Sequence, residues 1–277
     1  FLTEYYLLTK DDYVLPAIRE ISQTIAMGRS GVGTWSHGMA IPAQNDGKLY
    51  GMPAAYGMMN QTSLSCTISL VMAQKCGIDS PEITKAIKMY TSFCSWWADK
   101  GTIPYGDHTP SLVHDGNGKN SQAAVLFDLI GDKETANYFT RMTLSSYNKR
   151  EGGHTGHFFA SHWGALGAAR GGDDAAKSFV GNLRWFTEME RRADGSSVYQ
   201  EQLANTPGRY PEWSTTGQRL MQHCLPRKKL HITGKGGSSM TPLTAEEIKS
   251  SVAAATFDPT GLTAKQLLEA LASWSPV

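Results

Sequence analysis

The chain has 277 residues, 40% of them hydrophobic, and its 26 basic and 25 acidic side chains leave a formal net charge of +1. This length supports one large domain or two ordinary ones. The near-zero charge excludes a surface that binds nucleic acid or an anionic membrane by bulk electrostatics. No run approaches the roughly 18 apolar residues that cross a bilayer. The four cysteines show neither a CxxC pair nor zinc spacing, so we expect them to pack as small apolar residues.

Helical periodicity recurs along the chain, whereas alternating β-branched runs are nearly absent. The first periodic stretch, KDDYVLPAIREISQTIAMG at 10–28, predicts an amphipathic helix whose partner lies upstream. The chain begins at Phe1 and ends on an abruptly stopped helix, and we therefore expect a piece of a longer protein.

Three later stretches, at 79–101, 131–152 and 172–195, share one pattern. Each has acids near its start, an apolar face, and bases before a closing glycine, which is typical of an amphipathic helix. In the first of them Ser80 is a good N-cap and Pro81 suits the first turn.

A second kind of helix, poor in charge, precedes each of these three, at 58–77, 118–131 and 154–172. Helices with so few charges are normally buried on all sides. The repeating unit is thus a charge-poor inner helix, a glycine turn and an amphipathic outer helix, and STTGQRLMQHCL at 214–225 adds a fourth inner helix. Such repeats form an open solenoid or a closed ring, and buried inner helices favour the ring.

The composition changes at Pro226. Residues 226–242 are basic and rich in Gly and Ser, which predicts a mobile linker. Thr244 and Glu247 then form a capping-box pattern ahead of one helix, and LTAKQLLEALASW makes another. We predict an all-α chain, with an incomplete α/α-toroid ring over 1–225 and a linker with a helical extension over 226–277.

This pattern of inner and outer helices resembles the α/α-toroid superfamily, which includes terpenoid cyclases, protein prenyltransferase β-subunits, lanthipeptide cyclases and several glycan-degrading enzymes. The stretches GTWSHGMA, YGMMNQTSLSC, KGTIPYGDH, HDGNGKNSQAAVLFDLIGD, GHTGHFF and ADGSSVYQ are similar to a bacterial toroid family. Its members often carry an upstream PDZ-like module and are often predicted to be exported, which implies a periplasmic or secreted protein. The cyclase motif DxDD and the lanthipeptide zinc pattern are absent from the sequence.

Seven of the eight histidines fall in loops before inner helices or in the inner helices themselves. In a toroid these loops gather at one mouth of the central cavity, where the helix N-termini offer free N–H groups. The candidate catalytic residues there are Asp107, His108, Asp115, His154, His157 and Glu201. The candidate substrate-binding residues are Trp35, His37, Tyr105, His114, Trp163 and Tyr199.

Each candidate also has a structural alternative. Loop His and Asp side chains commonly bond the backbone of turns, and Asp115 starts the turn sequence DGNG. His154 and His157 share a helical face, yet a zinc site needs a third protein ligand and none is visible nearby, so we expect no metal and no cofactor. Core packing is the alternative for the tryptophans.

Two function classes follow. The first is a glycan hydrolase, with Asp107 or Asp115 paired with Glu201, or a glycan lyase with His157 or Tyr199 as base. The second is a non-catalytic module that binds a peptide or glycan and scaffolds a larger protein. The sequence leaves substrate and oligomeric state open.

Overall fold

A computed structural model of the protein describes residues 1–40, 58–106, 118–146, 158–199 and 213–254. Apart from short 3₁₀ turns, its helices are α1 (Leu2–Thr9), α2 (Leu15–Met27), α3 (Asn60–Lys75), α4 (Pro81–Ser95), α5 (Lys119–Ile130), α6 (Lys133–Ser145), α7 (Phe158–Ala168), α8 (Asp173–Asn182), α9 (Arg184–Met189), α10 (Thr216–Cys224) and α11 (Ala245–Ala254). These ranges contain no β-strand, and their β-pairing consists of isolated bridges such as Arg191 with Ser197 and Val198 with Ser214. The predicted all-α class is confirmed. None of these helices is long and apolar enough to cross a membrane.

The first predicted outer helix, α4, begins where expected and has the expected apolar face. At the start of α4 the Ser80 hydroxyl accepts the Ile83 N–H at 3.2 Å, and Pro81 occupies the first turn. Its buried residues, Ile83, Ala86, Ile87, Tyr90 and Cys94, recur at helical spacing.

The first three predicted inner helices, α3, α5 and α7, are largely buried, whereas the fourth, α10, buries only Gln218 and Arg219. Ten consecutive residues of α5, from Lys119 to Asp128, are all buried, as the low charge of this stretch predicts. The inner helices pack side by side, with α3 against α5, α5 against α7, and α7 against α10. Outer helices cover them, since α4 packs on α3, α6 on α5 and α8 on α7.

Glycines allow the closest of these contacts. A Cβ atom on Gly167 of α7 would lie 2.6 Å from Ser121 Cα on α5, and one on Gly164 would lie 2.3 Å from the Phe179 ring on α8. The inner helix α7 therefore meets neighbours on both sides through positions that have no side chain.

Two elements differ from the sequence prediction. The stretch at 172–195 is not one helix, because the chain leaves helical geometry at Leu183, between α8 and α9. The preceding Gly181 and Asn182 have low helix propensity, which explains the break. Helix α1 was not predicted, since its apolar residues lack a one-sided pattern.

The described part of the predicted linker is held against the helices. Asp128 of α5 pairs with Arg170 at 2.9 Å and also accepts the Ser238 hydroxyl at 2.8 Å and the Ser239 N–H at 2.6 Å. Arg170 donates to the carbonyl of Ile232. These buried charges give the Gly/Ser-rich segment fixed partners that its composition does not reveal.

The helical extension begins as predicted. The Thr244 N–H donates to the Glu247 carboxylate at 2.8 Å, and the Glu247 N–H donates to the Thr244 hydroxyl at 3.2 Å, which completes the capping box before α11. This helix packs on α6. The last predicted helix, at 262–274, lies outside the described residues.

Candidate functional site

The first turns of the inner helices lie together at one end of the array. A Cβ atom on Gly118, which precedes α5, would lie 2.8 Å from the carbonyl oxygen of Phe159 in α7. The Gln218 amide of α10 donates to the Phe158 carbonyl at 3.4 Å. The starts of α5, α7 and α10 therefore lie near one another at this end.

Asn60, the first residue of α3, fixes the loop that leads toward α5. Its backbone N–H donates to the Tyr105 carbonyl at 2.9 Å, and its side-chain amide donates to the Pro104 carbonyl at 2.9 Å. Its amide oxygen accepts the Tyr90 hydroxyl at 3.1 Å. The chain is therefore held rigidly up to Gly106, directly before the candidate residues Asp107 and His108.

The opposite end of the inner helices is covered. Segment 230–240 crosses it, bonded to Asp128 and Arg170 near the ends of α5 and α7. The Glu4 carboxylate accepts the backbone N–H groups of His231 and Ile232 at 3.1 and 2.9 Å, which ties the same segment to α1. The segment therefore leaves the N-terminal end of the inner helices as the end where a ligand could bind.

An aromatic cluster stands at that end, beside α7 and α10. The Tyr199 N–H donates to the Trp213 carbonyl at 2.9 Å, and Val198 bridges Ser214. Phe158 meets the Trp213 ring edge-to-face with centroids 4.6 Å apart and the Tyr199 ring at 5.7 Å. Trp213 keeps 37% of its surface exposed and is the accessible member of the cluster.

A buried charge pair lies beside this cluster. Glu190 accepts from Arg219 Nε at 2.7 Å and from the Thr215 hydroxyl at 3.0 Å, and Arg219 also donates to the Ser161 hydroxyl at 3.0 Å. Burial raises the pKa of the Glu190 carboxyl, and the Arg219 charge only partly offsets this effect. Glu190 Oε1 has no hydrogen-bond partner among the described residues.

The pair of Glu190 and Arg219 is not among the residues predicted from the sequence. Its signal was present, since Arg219 is the one basic residue in the otherwise uncharged start of the fourth inner helix. A charge at a buried helical position requires a partner of opposite sign. The acid, Glu190, lies 29 positions earlier, and no local pattern joins the two.

Polar side chains also face one another between α3 and α5. The Ser65 hydroxyl lies 3.1 Å from the Gln122 amide oxygen and 3.2 Å from the Gln61 carbonyl. Gln122 is fully buried. Its amide nitrogen and the Gln61 side-chain oxygen have no hydrogen-bond partner within the described ranges.

All six predicted catalytic residues lie outside the described ranges and stay predictions. The same holds for His114, one of the predicted substrate-binding residues. The residues of these two sets outside the described ranges are Asp107, His108, His114, Asp115, His154, His157 and Glu201.

The remaining predicted residues are described and differ in accessibility. Trp35 is 1% exposed and donates its indole N–H to the Ile25 carbonyl at 2.8 Å, so the core-packing alternative holds for it. Tyr199 is likewise buried, within the aromatic cluster. His37 is exposed, whereas Tyr105 and Trp163 are partly buried. Trp163 packs against the hydrophobic core.

Within the described ranges, the side chains form no metal-binding cluster, and two of the thiols are desolvated. No group of three or more His, Cys, Asp or Glu side chains there is arranged to hold a metal ion. Burial raises the pKa of the Cys66 and Cys94 thiols to about 12, which keeps both protonated and unreactive.

A family model, a domain of unknown function termed DUF6288, matches residues 1–234. The chain therefore belongs to the DUF6288 family. No curated protein and no solved structure matches it.

Proposed function

For this member of the DUF6288 family, we propose an α/α-toroid whose inner-helix mouth binds a glycan and cleaves it by hydrolysis or elimination. The supporting observation is the aromatic cluster at the start of α7 and α10, where Trp213 stays 37% exposed against Phe158. Exposed aromatic rings on rigid supports are suited to the apolar faces of sugar rings.

The ring is supported by the packing order of the helices. Each inner helix contacts the next, from α3 through α5 and α7 to α10, with outer helices around them. Continuation of this order leads to a closed barrel of helices with a central cavity. The covered C-terminal end leaves the mouth as the entrance.

The chemistry is assigned to the loops at this mouth. In a hydrolase, Asp107 or Asp115 would pair with Glu201 across the scissile bond, one as acid and the other as base or nucleophile. In a lyase, His157 or Tyr199 would remove the proton next to a uronate carboxyl group. Asn60 holds the loop by hydrogen bonds as far as Gly106. This support favours Asp107 over Asp115 as the catalytic carboxyl group, because such a group needs a rigid position.

A non-catalytic glycan- or peptide-binding module is the second candidate. It is favoured by the amides and hydroxyls between α3 and α5, which bind hydroxyl groups but carry out no proton transfer near neutral pH. The two candidates differ in whether a bound glycan is cleaved.

The test is an activity screen of the protein on a polysaccharide panel. Release of reducing ends reports hydrolysis, and absorbance of the unsaturated product reports elimination. The variants are Asp107→Asn, His154→Ala and Glu201→Gln, with Asp99→Asn as a matched control, because Asp99 is exposed after α4.

We expect at least one glycan to be cleaved, with a loss of at least about a hundredfold in one of the three variants and none in Asp99→Asn. Cleavage that is unchanged in all three variants would refute the residue assignment. A glycan that is bound without cleavage would favour the second candidate, and the absence of both binding and cleavage would refute the glycan proposal.

A further inference from the structure

One face of the inner helix α3 is polar and incompletely packed. Gln61, Ser65 and Ser69 follow one another at four-residue spacing and so share a side of the helix. Gln61 and Ser65 are partly buried and Ser69 is exposed, whereas Leu64, Ile68 and Leu70 are buried in the core. This face is therefore exposed at Ser69 and partly exposed at Gln61 and Ser65, although the Gln61 side-chain oxygen itself is buried.

Gln122 of α5 extends this polar face with a fully buried amide. The Ser65 hydroxyl fixes its orientation at 3.1 Å. Among the described residues, the Gln122 nitrogen lacks an acceptor and the Gln61 oxygen lacks a donor. Buried amide groups without partners lower stability, so a pair of this kind is normally completed by a bound group.

The unpaired atoms are one donor and one acceptor. A hydroxyl group can serve either atom, since it accepts from a donor such as the Gln122 nitrogen and donates to an acceptor such as the Gln61 oxygen. A carboxylate satisfies only the donor, and an ammonium group only the acceptor. The pair therefore matches a hydroxyl group better than it matches an ion.

The charges on the inner helices agree with a neutral ligand. Lys75 is the only charged residue of α3 and lies at its C-terminal end, and in α5 Asp128 is paired with Arg170. Lys119, at the first position of α5, is buried. Burial lowers the pKa of His162 on α7, which keeps its ring neutral at pH 7.

We propose that Gln61, Ser65 and Gln122 form a subsite that recognises a hydroxyl group of a neutral sugar unit. This inference rests on the proposed glycan function and specifies its substrate as a neutral glycan rather than a uronate polymer. It favours hydrolysis over elimination, because elimination requires a uronate carboxyl group next to the proton that is removed.

The experiment compares wild type with Gln122→Met, which keeps the side-chain length and removes the amide. Gln74→Met is the matched control, because Gln74 lies at the far end of α3 and donates to Asp79. Calorimetric titrations use hexasaccharides of β-1,4-linked glucose, xylose and galacturonic acid, together with any glycan that the panel identifies. The melting temperature of each unliganded variant is measured in parallel.

We expect wild type to bind a neutral glycan, Gln122→Met to bind it at least tenfold more weakly, and Gln74→Met to bind it as wild type does. Gln122→Met should melt higher than wild type without ligand, because an unpaired buried amide nitrogen is removed and the Ser65 hydroxyl keeps its bond to the Gln61 carbonyl. If the amide serves ligand binding, the variant gains stability and loses affinity for the glycan. If the amide is structural, the variant loses both stability and affinity.

Preference for the galacturonate hexamer, unchanged binding by Gln122→Met, or a lower melting temperature of that variant would each overturn the inference alone. A wild-type chain that binds no glycan would overturn the proposed function and the inference with it.

Discussion

Two buried carboxyl groups are held in different ways and have pKa values shifted in opposite directions. Burial acts to raise the pKa of Asp128, but Arg170 and the hydroxyls of Ser238 and Ser239 outweigh it, so the pKa lies below its usual value of 3.8. Glu190 has one oxygen without a described partner, and burial raises its pKa above 4.5. The hydrogen bonds and the positive charge at the Asp128 carboxylate outweigh the effect of burial on its pKa, whereas those at the Glu190 carboxylate do not.

Removal of Arg170 should destabilise the fold. In Arg170→Ala the Asp128 carboxylate stays buried without its cation, and segment 230–240 loses the donor to Ile232. We expect the free energy of unfolding to fall by about 3–5 kcal/mol. Urea titration measures it, with Lys177→Ala as control for an exposed ion pair on α8. Equal stability of the two variants would show that the buried pair does not hold the segment.

Because the pKa of Glu190 is raised, the direction in which this residue changes folding stability with pH can be predicted. A carboxyl group whose folded pKa exceeds its unfolded value of 4.5 binds more protons when folded, so it lowers stability as pH rises above 4.5. Glu190→Gln does not titrate. The unfolding free energy of Glu190→Gln minus that of wild type should therefore increase from pH 4 to pH 7 in denaturant titrations. A difference that decreases over this range would contradict the raised pKa.

At the scale of elements, the alternation of charge-poor and amphipathic stretches predicted most of the helices. Helix α5 is the clearest case, because its sequence offers no polar face and all but its last turn is buried. The break at Leu183 and the anchoring of segment 230–240 were not predicted. The break follows from the low helix propensity of Gly181 and Asn182, which the periodic pattern does not register. The anchoring depends on partners far along the chain, such as Asp128 with Ser239, 111 positions apart, and local periodicity carries no signal of them.

The close contacts of α7 predict opposite effects for two glycines. A methyl group on Gly167 would overlap Ser121 on α5, so Gly167→Ala should destabilise the fold by about 1–3 kcal/mol. A Cβ atom on Gly181 in α8 would meet no atom within 4 Å, so Gly181→Ala should leave stability unchanged or raise it by up to about 1 kcal/mol. Thermal unfolding measures both, and a Gly167→Ala variant as stable as wild type would contradict the α5–α7 packing.

The candidate site was predicted only in part. The starts of α5 and α7 do lie together, as Gly118 beside Phe159 shows, whereas the central cavity and its mouth stay predictions. Trp35 was assigned to that mouth and is buried instead, because a tryptophan that follows a glycine loop carries no local signal of which side it packs on. His154 and His157 stay predictions.

At the scale of the whole molecule, one end of the inner helices is covered by segment 230–240 and the other carries an exposed aromatic ring. This asymmetry underlies the glycan proposal, because the uncovered end carries both Trp213 and the start of α3 with Gln61. The central claim is that glycans bind there and not on the outer surface.

The most direct test is the affinity of Trp213→Ala and Trp185→Ala for a glycan that the wild-type chain binds. Trp213 stands at the mouth, whereas Trp185 is 61% exposed on the outer helix α9. Calorimetric titration should show binding about tenfold weaker for Trp213→Ala, equivalent to about 1.4 kcal/mol, and unchanged for Trp185→Ala. Equal affinity of the two variants, or a loss confined to Trp185→Ala, would contradict a glycan site at the mouth.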